Sequence, residues 1–126
     1  MEITREALDD ILAHAREAAP AECCGLLIGS GSRVESAHRS PNLDPSPTRF
    51  RIDPAAHFAA IHAARASGRQ VVGVYHSHPA TRAVPSPRDL AESLYPDYAY
   101  LIASSDEVRL FYLQASGYRE EPLTVI

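Results

Sequence analysis

The chain has 126 residues, 45% of them apolar and 22% charged, which is one globular domain's worth and enough to bury a core without cross-links. Twelve basic residues against sixteen acidic ones leave a formal charge of −4, a balance that argues against a general nucleic-acid binder, because phosphate contacts need a basic surface. The opening MEITREALDD has neither the basic start nor the apolar centre of an export signal, and no apolar run approaches the ~20 residues of a bilayer span; a cytoplasmic protein without membrane contact is expected.

Thr4 is placed to cap a first helix, with Ile3 and Leu8 as a hydrophobic staple and Ala7, Leu8, Ile11, Leu12 and Ala15 at helical spacing. Pro20 lies beyond its end. Cys23 to Ile28 reads as a short buried strand, and the GSGS turn at Gly29–Ser32 returns Arg33–Arg39 as its antiparallel partner. The adjacent Cys23 and Cys24 do not read as a disulfide framework, since vicinal pairing is strained; they read as two small side chains in that strand. Ser40 to Thr48 carries three prolines and no period, so it reads as an exposed loop, and FRID behind it as a short strand.

Asp53-Pro54 is a helix start, N-cap then first helical residue. Ala55–Ala66 reads as a helix closed by Gly68, and Gln70–Tyr75 as a buried β-branched strand. Pro79–Pro85 is a loop, and Ser86-Pro87 opens another helix with Asp89 at its third position. Tyr98–Ala103 and Val108–Leu113 are strands joined by the polar turn SSDE, and the tail from Gly117 to Ile126 adds an edge strand. The expected fold is α/β: a single domain over residues 1–126, one mixed sheet with helices on its faces.

The chemistry concentrates at YHSHP, Tyr75–Pro79. In an extended chain, residues i and i+2 face the same way, so His76 and His78 project together with Cα atoms about 6.5 Å apart. That spacing lets both imidazoles meet one ion. Ser77 points the other way, and Pro79 ends the strand. A catalytic zinc takes three protein ligands and keeps one position open, and Asp89 is the candidate third ligand; the same residue also suits the helix dipole. Glu22, just before CCGLL, is the candidate general base. From the residues alone, it is equally a solvated residue after Pro20-Ala21. His14, His38, His57 and His62 have no such spacing and read as surface or core residues.

The set Glu22, His76-Ser-His-Pro79, Ser86 and Asp89 resembles the motif of the JAMM/MPN+ (JAB1/MPN/Mov34-type) zinc metalloproteases, and ECCGLLIG and VVGVYHSHP resemble the segments around it. The resemblance spans Glu22 to Asp89, and an isolated H-x-H-P would carry much less. It implies a curved mixed sheet flanked by helices, similar to cytidine deaminases, although the deaminase signature itself is absent. It implies that zinc is held by His76, His78 and Asp89, that Glu22 activates the attacking water, and that Ser86 donates a hydrogen bond to the oxyanion. Ser86 also has the plainer role of N-cap. The chain is similar to the compact bacterial branch, and the implied substrate is a small ubiquitin-like or sulfur-carrier protein, cut after its C-terminal Gly-Gly. Two other readings stay open: a non-catalytic MPN-type scaffold, and a RadC-like DNA-associated protein. The oligomeric state is not legible.

Overall fold

The computed structural model describes residues 1–114 and 116–126. Along the chain run β1 (Glu2–Ile3), α1 (Arg5–Ala18), β2 (Cys24–Ser30), β3 (Arg33–Ser40) and α2 (Pro54–Ala66). They are followed by β4 (Gln70–Ser77), α3 (Pro87–Ala91), β5 (Ala99–Ala103), β6 (Val108–Gln114), β7 (Gly117–Glu121) and β8 (Thr124–Val125). The Thr4 hydroxyl accepts the Ala7 N–H at 3.1 Å and caps α1, while Ile3 and Leu8 are buried in one cluster, as the staple requires. Asp53 caps α2 with Pro54 in its first turn, and Gly68 closes it at φ 71°, where a glycine pays no steric cost.

Among the described residues, the strands join one eight-stranded sheet in the order β7-β6-β5-β4-β2-β3-β1-β8. β4 and β5 are parallel, as are β1 with β3 and β1 with β8; the other pairs are antiparallel. The sheet is strongly curled. β7 and β8 stand at opposite ends of the order, yet only Pro122 and Leu123 separate them in the chain. A link of three Cα steps reaches at most about 11 Å, whereas eight strands laid flat would spread over roughly 34 Å.

The tail was expected to form one edge strand and forms two. Pro122 lacks the N–H that a ladder needs, and beyond it the chain crosses to β1, where Thr124 N–H donates to Met1 O and Ile126 N–H to Ile3 O. β1 is too short to show a period. FRID makes only an isolated bridge, Asn42 with Ile52.

Alternation along the strands sorts the core into two clusters. Cys23, Leu27, Tyr75, Leu101 and Leu110 pack under α1; Leu26, Ile28, Val74, Tyr100, Ile102 and Phe111 pack with Ala60 and Ala64 of α2 and with Leu90 of α3. His76 faces the second cluster, because Cys24 on β2 and Ile102 on β5 are its register partners. The site therefore sits at the C-terminal end of the central strand β4, beneath α3. No helix among the described residues is long and apolar enough to cross a membrane.

Candidate metal centre

β4 delivers His76, fully buried, and the chain continues past Ser77 so that His78 N–H donates to Ala103 O at 2.8 Å. The two rings meet at 60°. His76 Nε2 and His78 Nε2 are 3.1 Å apart, and Asp89 Oδ2 lies 3.3 Å from the first and 3.2 Å from the second. Tetrahedral ligands at bond lengths of 2.0–2.1 Å stand about 3.3 Å from one another. The triangle is thus the size that a single four-coordinate ion requires.

Its electronic character agrees. His78 Nδ1 lies 2.8 Å from the carbonyl oxygen of Arg82, which only accepts, so the ring proton sits on Nδ1 and Nε2 offers a lone pair. Nε2 of His78 and Oδ2 of Asp89 then both present lone pairs, which a cation shared between them would satisfy. Burial raises the pKa of Asp89, but the adjoining His76 and His78 and the Ser86 N–H outweigh it and hold the carboxylate well below its usual range. Burial lowers His76 despite Asp89; for His78 burial also works downward, but Asp89, the Arg82 carbonyl and Glu22 together raise it.

Asp89 is aimed by the start of α3. Ser86 Oγ accepts the Asp89 N–H at 3.0 Å, and Asp89 Oδ2 accepts the Ser86 N–H at 2.9 Å, a complete capping box. Ser86 Oγ accepts in that box, so its own hydrogen is available to a further acceptor.

Glu22 is buried, not solvated. The loop read as exposed covers it: Glu22 N–H donates to Ser46 O at 2.8 Å, and Asn42 Nδ2 donates to Glu22 O at 3.0 Å. Its Oε1 has no hydrogen-bond partner among the described residues, yet a carboxylate oxygen lies within 4.8 Å of both histidine ligand atoms. Burial, with Asp89 adding and His78 opposing, pushes its pKa up to about 8. His76, His78 and Asp89 thus converge, with Glu22 within 4.8 Å of the histidine ligand atoms and Ser86 joined to Asp89 through the cap.

Three of the other histidines are engaged by aromatic side chains. His14 Nδ1 is 2.8 Å from Tyr75 Oη, His57 Nε2 is 3.1 Å from Tyr98 Oη, and His62 packs on Phe58. Cys23 and Cys24 are free and buried, and burial pushes the Cys24 thiol up to about 12. Three contributors were not legible in the sequence. One is the Arg82 carbonyl, another is Asn42, and the third is Phe50, whose ring stacks on His76. A backbone oxygen and a distant ring leave no local sequence signal. Phe50 also borders a cleft of about 590 Å³, shared with His57, Leu94, Tyr95 and Tyr100, that opens beside the centre.

The model of prokaryotic homologues of the JAB domain matches residues 4–114. A desampylase of Haloferax volcanii is 38% identical over 113 residues, which is 84% of this chain and 81% of the relative. A CysO-cysteine peptidase of Mycobacterium tuberculosis is 31% identical over 131 aligned positions, covering 98% of this chain and 90% of the relative. Among solved structures, a protein of Desulfitobacterium hafniense superposes with a TM-score of 0.91 at 36% identity, covering 99% of this chain and 92% of that one.

Proposed function

The chain belongs to the family of prokaryotic homologues of the JAB domain, and from that premise we propose that it is a zinc-dependent metallopeptidase acting after the C-terminal Gly-Gly of a small ubiquitin-like or sulfur-carrier protein. The observation that carries the metal and the chemistry is the triangle of His76 Nε2, His78 Nε2 and Asp89 Oδ2, with edges of 3.1–3.3 Å. The substrate class is supported by the desampylase and the CysO-cysteine peptidase to which the chain is similar.

His76, His78 and Asp89 are the ligands that would hold zinc. Zinc there would polarise the scissile carbonyl and make water a nucleophile near neutral pH. Glu22 forms no hydrogen bond to the histidines but has an oxygen within 4.8 Å of them, the reach of one intervening water. It takes a proton from that water as the oxygen attacks the carbonyl carbon. As the C–N bond breaks, it returns the proton to the departing amine. Burial makes this carboxylate a stronger base than an exposed one, and zinc beside it would favour the ionised form that accepts the proton. The Ser86 hydroxyl, fixed by the cap, donates to the carbonyl oxygen as charge develops. The burial of His76, His78 and Glu22 keeps bulk water from competing for these interactions.

The test is product mass spectrometry. Zinc-loaded protein is incubated with small ubiquitin-like carriers extended beyond Gly-Gly by cysteine or a short peptide, with Glu22→Gln alongside. Cleavage after Gly-Gly by the wild type and not by Glu22→Gln supports the reading. Zinc binding with no cleavage of any carrier removes this substrate class.

A further inference from the structure

The three ligand candidates are not supported alike. His78 has the Arg82 carbonyl behind its Nδ1, and Asp89 has the Ser86 N–H. His76 Nδ1 is buried and has no hydrogen-bond partner among the described residues. A histidine ligand ordinarily gives that N–H to an acceptor, which fixes the ring. At His76 the tighter of two ring contacts is Phe50, whose ring lies parallel at 4.2 Å between centroids and 18° between planes, against 4.9 Å and 60° for His78. The stack fixes the plane of the imidazole, and the ion then selects the nitrogen.

Phe50 is itself held with unusual completeness. Asn42 uses all four of its amide hydrogen-bonding positions on this loop and its neighbour: Nδ2 donates to Glu22 O and Arg49 O, and Oδ1 accepts from Asp44 N–H and Arg51 N–H. Two of those partners, Arg49 and Arg51, flank Phe50. One side chain thus ties the backbone of the base to the segment bearing the ring. Leu43 N–H to Arg51 O and the Asn42–Ile52 bridge close the same loop.

We propose that Phe50 is a positioning residue for His76, substituting a stacked ring for the missing hydrogen bond, and that Asn42 sets the ring's place relative to Glu22. This rests on the metal reading above. The rival role for Phe50 is a plain wall of the neighbouring cleft, which would alter substrate KM and leave the metal untouched.

The experiment measures zinc affinity by competition with a chromogenic chelator, and the visible absorption of the cobalt-substituted protein, in the full chain. Phe50→Leu is expected to weaken zinc binding by about 10–100-fold and to alter the cobalt bands. Phe50→Tyr, which keeps the ring, should stay within about threefold of the wild type. Asn42→Ala, which keeps Phe50 but frees its loop, should weaken zinc binding in the same direction, and the double variant should lose less than the product of the two. It also serves if Phe50→Leu fails to fold. Zinc affinity within twofold of wild type in Phe50→Leu, with unchanged cobalt bands, overturns the proposal. So does Phe50→Tyr falling as far as Phe50→Leu. A wild-type protein that binds no zinc at all overturns the metal reading instead, which keeps the two failures apart.

Discussion

Ser86 and Asp89 cap one another across the first turn of α3, and the Asp89 oxygen that takes the Ser86 N–H is the same one that faces both histidines. The three-residue spacing therefore has one physical meaning at two levels. It closes a helix end whose N–H groups would otherwise be unpaired, and it aims a carboxylate at the end of β4. Asp89 is pre-organised by the backbone before any ion arrives.

Ser86→Ala removes both the cap and the hydroxyl donor. Loss of one oxyanion donor lowers kcat by roughly 10²–10³, and loss of the cap costs about 1 kcal/mol. Zinc affinity should fall less than kcat, because the Ser86 backbone N–H still reaches Asp89 Oδ2. Ser86→Thr keeps a hydroxyl in place and should recover most of the rate. Steady-state kinetics beside a zinc titration separate the two effects. A kcat within fivefold of wild type in Ser86→Ala would remove Ser86 from the chemistry.

Glu22 gives the metal-free protein a pH signature. Its carboxyl titrates near 4.5 in the unfolded chain and is raised to about 8 by burial in the fold. Between those values the folded state holds a proton that the unfolded state has released, so stability falls as pH rises through that window. Glu22→Gln cannot lose that proton and should show a flatter profile. Urea unfolding of metal-free wild type and Glu22→Gln at pH 5, 7 and 9 reads the difference. Parallel profiles would contradict the raised carboxyl.

Chelation should abolish cleavage and leave the fold. The two core clusters on either face of the sheet are packed by apolar side chains against α1 and α2, so most of the core is complete without the metal. Zinc at about 1,000 times its Kd would still add roughly 4 kcal/mol by linkage. Circular dichroism with chelator should show unchanged secondary structure, and the melting midpoint should climb with added zinc. Unfolding on chelation alone would make the site structural.

Much of the centre was legible because its logic is local. His76 and His78 share a side by strand alternation, and Ser86 with Asp89 follows from a helix start; each relation is set within four residues. Glu22 was ambiguous because the partners of its backbone, Asn42 and Ser46, lie in a proline-rich loop without a period. Phe50 read as part of a short strand, since nothing near it in sequence reveals a ring stacked from another element. The curl was expected from the family resemblance and not from any local pattern. It depends on Thr124 and Ile126 returning to Met1 and Ile3, a closure between the two chain ends.

Gly25 makes the sharpest stability prediction. It lies opposite Tyr75 in the β2–β4 register. A Cβ on Gly25 would run into Cε1 of the Tyr75 ring, and would stand 2.5 Å from its Cζ and 2.6 Å from the His38 carbonyl oxygen. The missing side chain lets the ring lie across β2 and carry its hydroxyl to His14 on α1, at 2.8 Å. Tyr75 is fully buried and adjoins His76, so the ring has little room to move without shifting a ligand. Gly25→Ala should therefore cost about 1–3 kcal/mol through overpacking and weaken zinc binding as well. Tyr75→Val removes the ring, and in that background Gly25→Ala should cost clearly less, with the His38 carbonyl contact as the remainder. Urea unfolding of the two single variants and the double variant gives the coupling directly. Strict additivity would place the penalty at the backbone of β3 and not at the ring.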